Sequence, residues 1–240
     1  MSDDAADSSP RVAADNPPHT AAWLDLGREE YARTYELQTR LHDRRKLDEV
    51  PDTVVVVEHL PCVTIGRAGR RESIVASDGE LLEAGVAVHQ SDRGGDVTYH
   101  GPGQVVLYPI VDLKAYGRDV HAHARRLEQV LIDAIGSYGI EATRRKEYPG
   151  VWTAQGKVAA IGLRVSRWVT LHGVALNVSP DMSHFSLIVP CGIQGENVTS
   201  LAQLLGRPVE TAEVKARLRG AFERVFAVRL HDVSKEDLCL

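Results

Sequence analysis

The most regular hydrophobic pattern runs through residues 118–139, "RDVHAHARRLEQVLIDAIGSYG". Val120, Ala124, Leu127, Leu131, Ala134 and Tyr138 step by three and four there along one stripe. That spacing predicts an amphipathic helix, with Gly139 as its C-terminal cap. Val214, Leu218, Phe222 and Phe226 predict another over 210–226, "ETAEVKARLRGAFERVF". A looser period, with Leu26, Tyr31, Tyr35 and Leu41 on one flank, predicts a helix over 26–45. The β-branched run "DTVVVVEH" at 52–59 has strand length and reads as buried on both faces. Further strands are predicted at "VAVHQS" (86–91), "QVVLYPIVDL" (104–113), "IEATR" (140–144) and "GVWTA" (150–154). "KVAAIGLRVS" (157–166) and "WVTLHGVALNV" (168–178) read as an antiparallel hairpin turning near Ser166 and Arg167. Ser200 and Gln203 stand at capping-box spacing before "LAQLLG".

The elements come in mixed order, without regular βαβ alternation. The expected fold class is therefore α+β, one domain around a central mixed, largely antiparallel sheet with flanking helices. Residues 1–22 hold four Asp, three Pro and three Ser but only Met1 and Val12 as large apolar side chains. They are expected to form a disordered acidic tail, because so little apolar burial cannot offset chain entropy. The domain is expected over 23–228, with a C-terminal tail at 229–240.

Composition narrows function mainly by exclusion. With 43% hydrophobic and 25% charged residues over 240 positions, the chain is of ordinary soluble type. Its net charge of -5 argues against nucleic acid as a partner. The short basic runs "RRK" at 44–46 and 144–146 read as solvated surface, or as a local patch for an acidic protein. Cys62, Cys191 and Cys239 show no CxxC spacing, which argues against a disulfide framework and a structural zinc site. No apolar run approaches the roughly 18 residues of a membrane span. No secretory or transit signal opens the chain, so a cytoplasmic location and no membrane partner are expected.

Three stretches carry unusual chemistry. "RGGDVTYHGPGQ" (93–104) concentrates four glycines with Arg93, Tyr99 and His100. Clustered glycines mark tight turns or close approach of a ligand to backbone. The stretch is neither a Walker loop nor a GxGxxG fingerprint, and no GxSxG or HExxH appears in the chain. In the hairpin, Lys157 opens an apolar strand, where it would either snorkel to solvent or, if desolvated beside a thiol, trade protons. His172 is either a hydrogen-bonded core residue or part of a site. Gly173 and Ala175 are small and share a face, leaving room for something to pack there. In "SHFSLIVPCGI" (183–193), Pro190 and Gly192 set Cys191 on a turn, as a buried inert thiol or as a nucleophile near backbone N–H groups. Cys62 reads as packing and Cys239 as incidental.

Taken together, the stretches 93–104, "GKVAAIG" (156–162), "WVTLHGVALN" (168–177) and Phe185 to Gly192 closely resemble the lipoyl(octanoyl) transferase family. The likeness spans roughly residues 24 to 228. It implies the catalytic fold of lipoate and biotin ligases. It also implies transfer of an octanoyl group from octanoyl-acyl carrier protein to a lysine of lipoyl domains, in 2-oxoacid dehydrogenase E2 subunits and the glycine cleavage H protein. By the same resemblance Cys191 is the acyl-thioester nucleophile, and Lys157 favours its thiolate and shuttles protons. The acyl groove is lined by Arg93, Gly94, Gly95, Asp96, Val97, Thr98, Tyr99 and His100, with Ala160, Ile161 and Gly162 and with Gly173, Val174 and Ala175. His172 and His59 stand as auxiliary candidates. Exchange between thioesters followed by amide formation needs no ATP, no metal and no cofactor. The rival expectation on the same fold is an ATP-dependent lipoate- or biotin-protein ligase. A non-catalytic binder of acylated carriers or lipoyl domains is the second rival.

Overall fold

A computed structural model describes residues 19–146, 148–189 and 197–239. In chain order its elements are β1 (His19–Glu29), α1 (Tyr31–Arg45), β2 (Thr53–His59), β3 (Cys62–Ile65), α2 (Asp78–Glu83), β4 (Ala87–Gln90), β5 (Val97–His100) and β6 (Gln104–Ile110). They continue with α3 (Val120–Gly136), β7 (Thr143–Arg144), β8 (Val151–Thr153), β9 (Gly156–Ser166), β10 (Val169–Asn177), α4 (Leu201–Leu205), α5 (Thr211–Phe226) and β11 (Val228–Asp232).

Eight strands form the main sheet in the order β11-β1-β2-β6-β10-β9-β8-β7. β1 pairs in parallel with β2 and β11, and the other neighbours are antiparallel. This is the mixed, largely antiparallel sheet expected from the sequence. A second sheet, β4-β3-β5, was not anticipated. Its strand β4 matches the one expected at 86–91, but β3 and β5, of four residues each, are too short for a period to emerge.

The two faces of the main sheet bury different side chains of the same strands, as a period of two requires. Val54, Val56, Val105 and Leu107 join Leu127 and Leu131 of α3 and Leu218 and Phe222 of α5 in one cluster. Val55, Val57, Val106 and Tyr108 join Leu41 of α1 in another. Arg167 and Trp168, both at positive φ, close the β9–β10 hairpin in two residues.

Some expectations need correction. The helix expected over 26–45 starts at Tyr31, because residues up to Glu29 extend β1. β1 begins at His19, inside the segment expected as tail, and buries Ala22 and Leu24 between two parallel neighbours. Val228–Asp232, largely in the expected C-terminal tail, is a sheet strand against β1. On α3, Leu127, Leu131 and Ala134 are buried as read, but Val120 in the first turn is exposed, and His123, Val130 and Ile135 broaden the buried face. The helix caps at Ser137, and Gly139 lies just beyond it at φ 78°. Ser200 does cap α4, accepting from the Gln203 N–H at 3.3 Å.

Candidate functional site

The sheet face that carries α1 opens into a slot where its side chains become small. In the β9–β10 ladder Gly162 lies opposite Gly173 and Ala160 opposite Ala175. Two adjacent pairs without bulk leave a depression beside Tyr108 and Val106. Gly173 is also required by the fold, because a Cβ there would run into the Leu107 carbonyl oxygen. One residue earlier, His172 holds φ at 61°, a strained value for a non-glycine residue within a strand. Its N–H leaves the ladder and donates to Gln38 Oε1 of α1 at 3.1 Å.

The glycine-rich loop roofs this slot. Arg93 is buried and fastens the loop to β3, donating from Nε to Thr64 Oγ1 at 3.1 Å and from Nη2 to the Thr64 carbonyl at 2.7 Å. The Gly94 N–H donates to the Leu163 carbonyl of β9 at 2.9 Å. The loop therefore bridges the two sheets. Loop, strands and α1 together bound a narrow cavity that is partly open to solvent.

Of the residues singled out from the sequence, Arg93, Gly95, Asp96, Val97, Thr98 and His100 line this cavity, as do Ala160, Ile161, Gly162, Gly173, Val174 and Ala175. Lys157 and His172 line it too. Gly94 and Tyr99 do not. Gly94 faces Leu163, and the Tyr99 hydroxyl turns away to His184 Nδ1 at 2.7 Å. Cys191 lies outside the described residues. Tyr31, Val106 and Tyr108 line the cavity and were missed, because aromatic and apolar residues in a helix or strand carry no mark separating a wall from a core.

The polar groups around the slot have definite protonation. His100 Nδ1 lies 2.6 Å from Gln104 Oε1. The Gln104 amide nitrogen already donates to Asn177 Oδ1 at 2.8 Å and to the Tyr99 carbonyl at 3.3 Å. Its oxygen must therefore accept, so the proton sits on His100 Nδ1 and Nε2 keeps a lone pair. Burial, reinforced by His59, pulls the His100 pKa down to about 3, which leaves the ring neutral. His59 lies behind the slot. It donates from Nδ1 to the Glu29 carbonyl at 3.2 Å and accepts the Tyr108 hydroxyl proton at Nε2, 2.7 Å away. Burial lowers its pKa to about 4. His172 Nε2 contacts Asp92 Oδ1 at 2.6 Å and stacks on Tyr35. Burial lowers the His172 pKa, and Asp92 opposes the shift. Burial would raise the Asp92 pKa, but bonds from His172 and Tyr35 outweigh it and hold the carboxyl below its usual range. Arg164 pairs with the same carboxylate.

Lys157 is buried, with Nζ 5.0 Å from the Trp152 ring centroid. Its N–H donates to the Asn197 carbonyl and its carbonyl accepts from the Thr199 N–H, both at 2.9 Å. Asn197 approaches so closely because Gly156, at φ 136°, has no Cβ to meet its carbonyl oxygen. Asn177 Nδ2 donates to the Thr199 carbonyl at 3.0 Å, which ties the Lys157 strand to the Gln104–His100 network. On the other side, the Val189 N–H donates to the Ser73 carbonyl at 2.8 Å. Val189, two residues before Cys191, is thus held to Ser73, and Asn197, six residues after it, is held to Lys157. Cys62 is buried on β3, where desolvation pushes its thiol up to about 12. Among the described residues no group of three or more His, Cys, Asp or Glu is arranged to hold a metal ion.

The family model "Lipoyl protein ligase A/B catalytic domain" matches residues 30–223. The octanoyltransferase of Caldicellulosiruptor saccharolyticus is 46% identical over 211 residues, covering 87% of this chain and 90% of that protein. The octanoyltransferase of Solibacter usitatus is 49% identical over 201 residues, covering 84% and 90%. The chain belongs to the octanoyltransferase family. It is an acyltransferase on the lipoyl protein ligase A/B catalytic fold. The same fold occurs in a bipartite lipoate protein ligase studied with its E2 lipoyl domain from Thermoplasma acidophilum. That structure aligns with a TM-score of 0.70 at 15% identity, over 92% of this chain and 90% of the other. Among the described residues no helix is long and apolar enough to cross a membrane.

Proposed function

We propose that the enzyme takes an octanoyl group from octanoyl-acyl carrier protein onto Cys191 and passes it to a lysine of lipoyl domains, in 2-oxoacid dehydrogenase E2 subunits and the glycine cleavage H protein. In the first half, the Cys191 thiolate attacks the thioester carbonyl. The carbon–sulfur bond to the carrier breaks, and the departing thiolate takes a proton from the Lys157 ammonium. In the second half, the acceptor amine attacks the Cys191 thioester and loses a proton to Lys157. An amide forms and the Cys191 thiolate is regenerated, so the cycle needs neither ATP nor a cofactor. Each octanoyl methylene buried against Val106, Ala160 and Ala175 contributes about 0.8 kcal/mol to holding the chain.

The observation that carries this reading is the position of Lys157. It lines an apolar slot, and its own backbone bonds Asn197 and Thr199, six and eight residues past Cys191 in the chain. The test is intact-mass analysis after exposure to octanoyl-acyl carrier protein. The wild type should gain one octanoyl group, mapped to Cys191 and released by hydroxylamine. Cys191→Ser should gain none that hydroxylamine removes and should lose transfer. Lys157→Ala should slow turnover by about 10²–10⁴-fold. Near-normal transfer by Cys191→Ser, or a strict need for ATP, would reject the covalent route.

A further inference from the structure

The tripeptide Arg-Arg-Lys occurs twice, and the second copy borders a groove. At the end of α1, Arg44 pairs with Glu49 at 3.3 Å, Arg45 with Asp52 at 2.7 Å and Lys46 with Asp43 at 3.0 Å. Those charges are answered within the surface itself. The second copy, Arg144 to Lys146, starts at the end of the edge strand β7 and precedes β8, beside α3. Arg144 is spent on α3, donating to Glu128 Oε2 at 3.1 Å and to Gln129 Oε1 at 2.8 Å. With His121 and Arg125 of α3, this copy lines a surface groove of about 600 Å³. Glu128 is the one carboxylate among the described lining residues, and both its oxygens are engaged, by Arg144 and by the Gly150 N–H at 3.2 Å. A chain of net charge -5 has therefore gathered four permanent cations into one groove.

The groove adjoins the acyl slot. Ile161 lines both. Trp152 links them a second time, with the Arg145 guanidinium 4.1 Å and Lys157 Nζ 5.0 Å from its ring centroid. A lysine acceptor must bring its own backbone within one side-chain length of the reacting carbonyl. A donor whose thioester hangs on a long arm can seat its protein surface farther away, and a groove separated from the slot by Ile161 suits that geometry. We propose that the groove is the docking surface for an acidic carrier protein, whose carboxylates meet Arg125 and Lys146 while its thioester arm passes Ile161 to reach Lys157. The proposal rests on the thioester-donor reading above. Charge complementarity of this kind raises the encounter rate and falls with added salt.

The test compares two donors with the same enzyme: octanoyl-acyl carrier protein, and octanoyl-pantetheine, which carries the thioester without the protein. In the exposed pair Arg125→Glu/Lys146→Glu, kcat/KM for the carrier protein should fall by about tenfold or more and lose most of its salt dependence. Turnover of octanoyl-pantetheine should stay within about twofold of the wild type. The neutral pair Arg125→Gln/Lys146→Gln should fall between, which separates charge from misfolding. Equal kcat/KM for the carrier protein in all three enzymes would overturn the proposal. So would an equal loss with both donors, or a rise in KM for the lipoyl-domain acceptor in place of the donor. A wild type that never turns over octanoyl-acyl carrier protein would overturn the donor reading itself, and the docking surface with it.

Discussion

The two faces of the main sheet are built from the same strands and do opposite work. Under α3 and α5 the strands present Val54, Val56, Leu107 and Leu176, and the helices answer with Leu127, Leu131 and Phe222, each almost wholly buried. On the α1 face the same strands end in Tyr108, His172 and the small pairs Gly162–Gly173 and Ala160–Ala175. Behind them lie His59, His100, Gln104 and Asn177, all buried and all bonded to one another or to backbone. One face gains stability by filling space. The other keeps space open and spends polar groups on fixing its shape. That division makes separable expectations for each face.

Acid should affect stability most, and mainly through the slot face. The pKa values of His59 and His100 are lowered to about 4 and about 3, and that of His123, on the inner side of α3, to about 4, in each case first by burial. All three should titrate near 6.5 when unfolded. A depressed basic group favours the fold fully above the unfolded value. That advantage is lost as the pH falls from about 6.5 toward the folded values, because only the unfolded chain takes up protons. With three such groups the loss should approach about 4 kcal/mol per pH unit between pH 6 and 4. Urea unfolding at pH 7.5, 6 and 5 measures it. A flat profile would mean that these rings are not buried neutral.

The next expectation contrasts one substitution on each face. Leu131→Ala, in the filled face, should lower stability by about 2–5 kcal/mol and leave turnover unchanged below the unfolding range. Ala160→Leu, in the slot, should leave the unfolding midpoint nearly unmoved. It should cut kcat/KM for octanoyl donors by about 10–200-fold, the range one misplaced methylene commands in an apolar pocket, and spare butyryl donors. Equal loss with both chain lengths would mean that the slot does not hold the acyl tail.

Much of the filled face was legible in the chain, and less of the slot face. The stripes of α3 and α5 and the Val54–Val57 run are long enough for a period or a β-branched block to stand out. β1 was hidden because its outer half, Gly27 to Glu29, is as polar as the helix that follows. β4 was read in "VAVHQS", but β3 and β5 were too short to read, although β3 anchors Arg93. At the site, Arg93, Lys157 and the small residues of β9 and β10 stood out because ordinary turns and strands do not require them. Tyr31 and Tyr108 did not, being the residue types any core uses. The link from Gln104 to Asn177 spans 73 positions, and nothing local to either residue announces it.

His123 is where the comparison between the faces is most open to a sharp test. It lies in α3 with neither ring nitrogen hydrogen-bonded among the described residues, and it packs edge-on against Phe226 at 5.7 Å. His59 and His100, on the other face, repay their desolvation with hydrogen bonds, whereas His123 leaves polar atoms buried for no bond. Removing both the donor and the acceptor should therefore help the filled face, because a buried unsatisfied polar group costs about 1–3 kcal/mol. His123→Leu should raise stability at pH 7.5 by about 1 kcal/mol and reduce the acid slope by about a third, with turnover unchanged. His100→Leu should share the reduction in slope but leave Gln104 Oε1 without its proton donor and lose stability at neutral pH. If His123→Leu instead weakens the fold at neutral pH, the ring has a partner and the two faces differ less than their packing indicates.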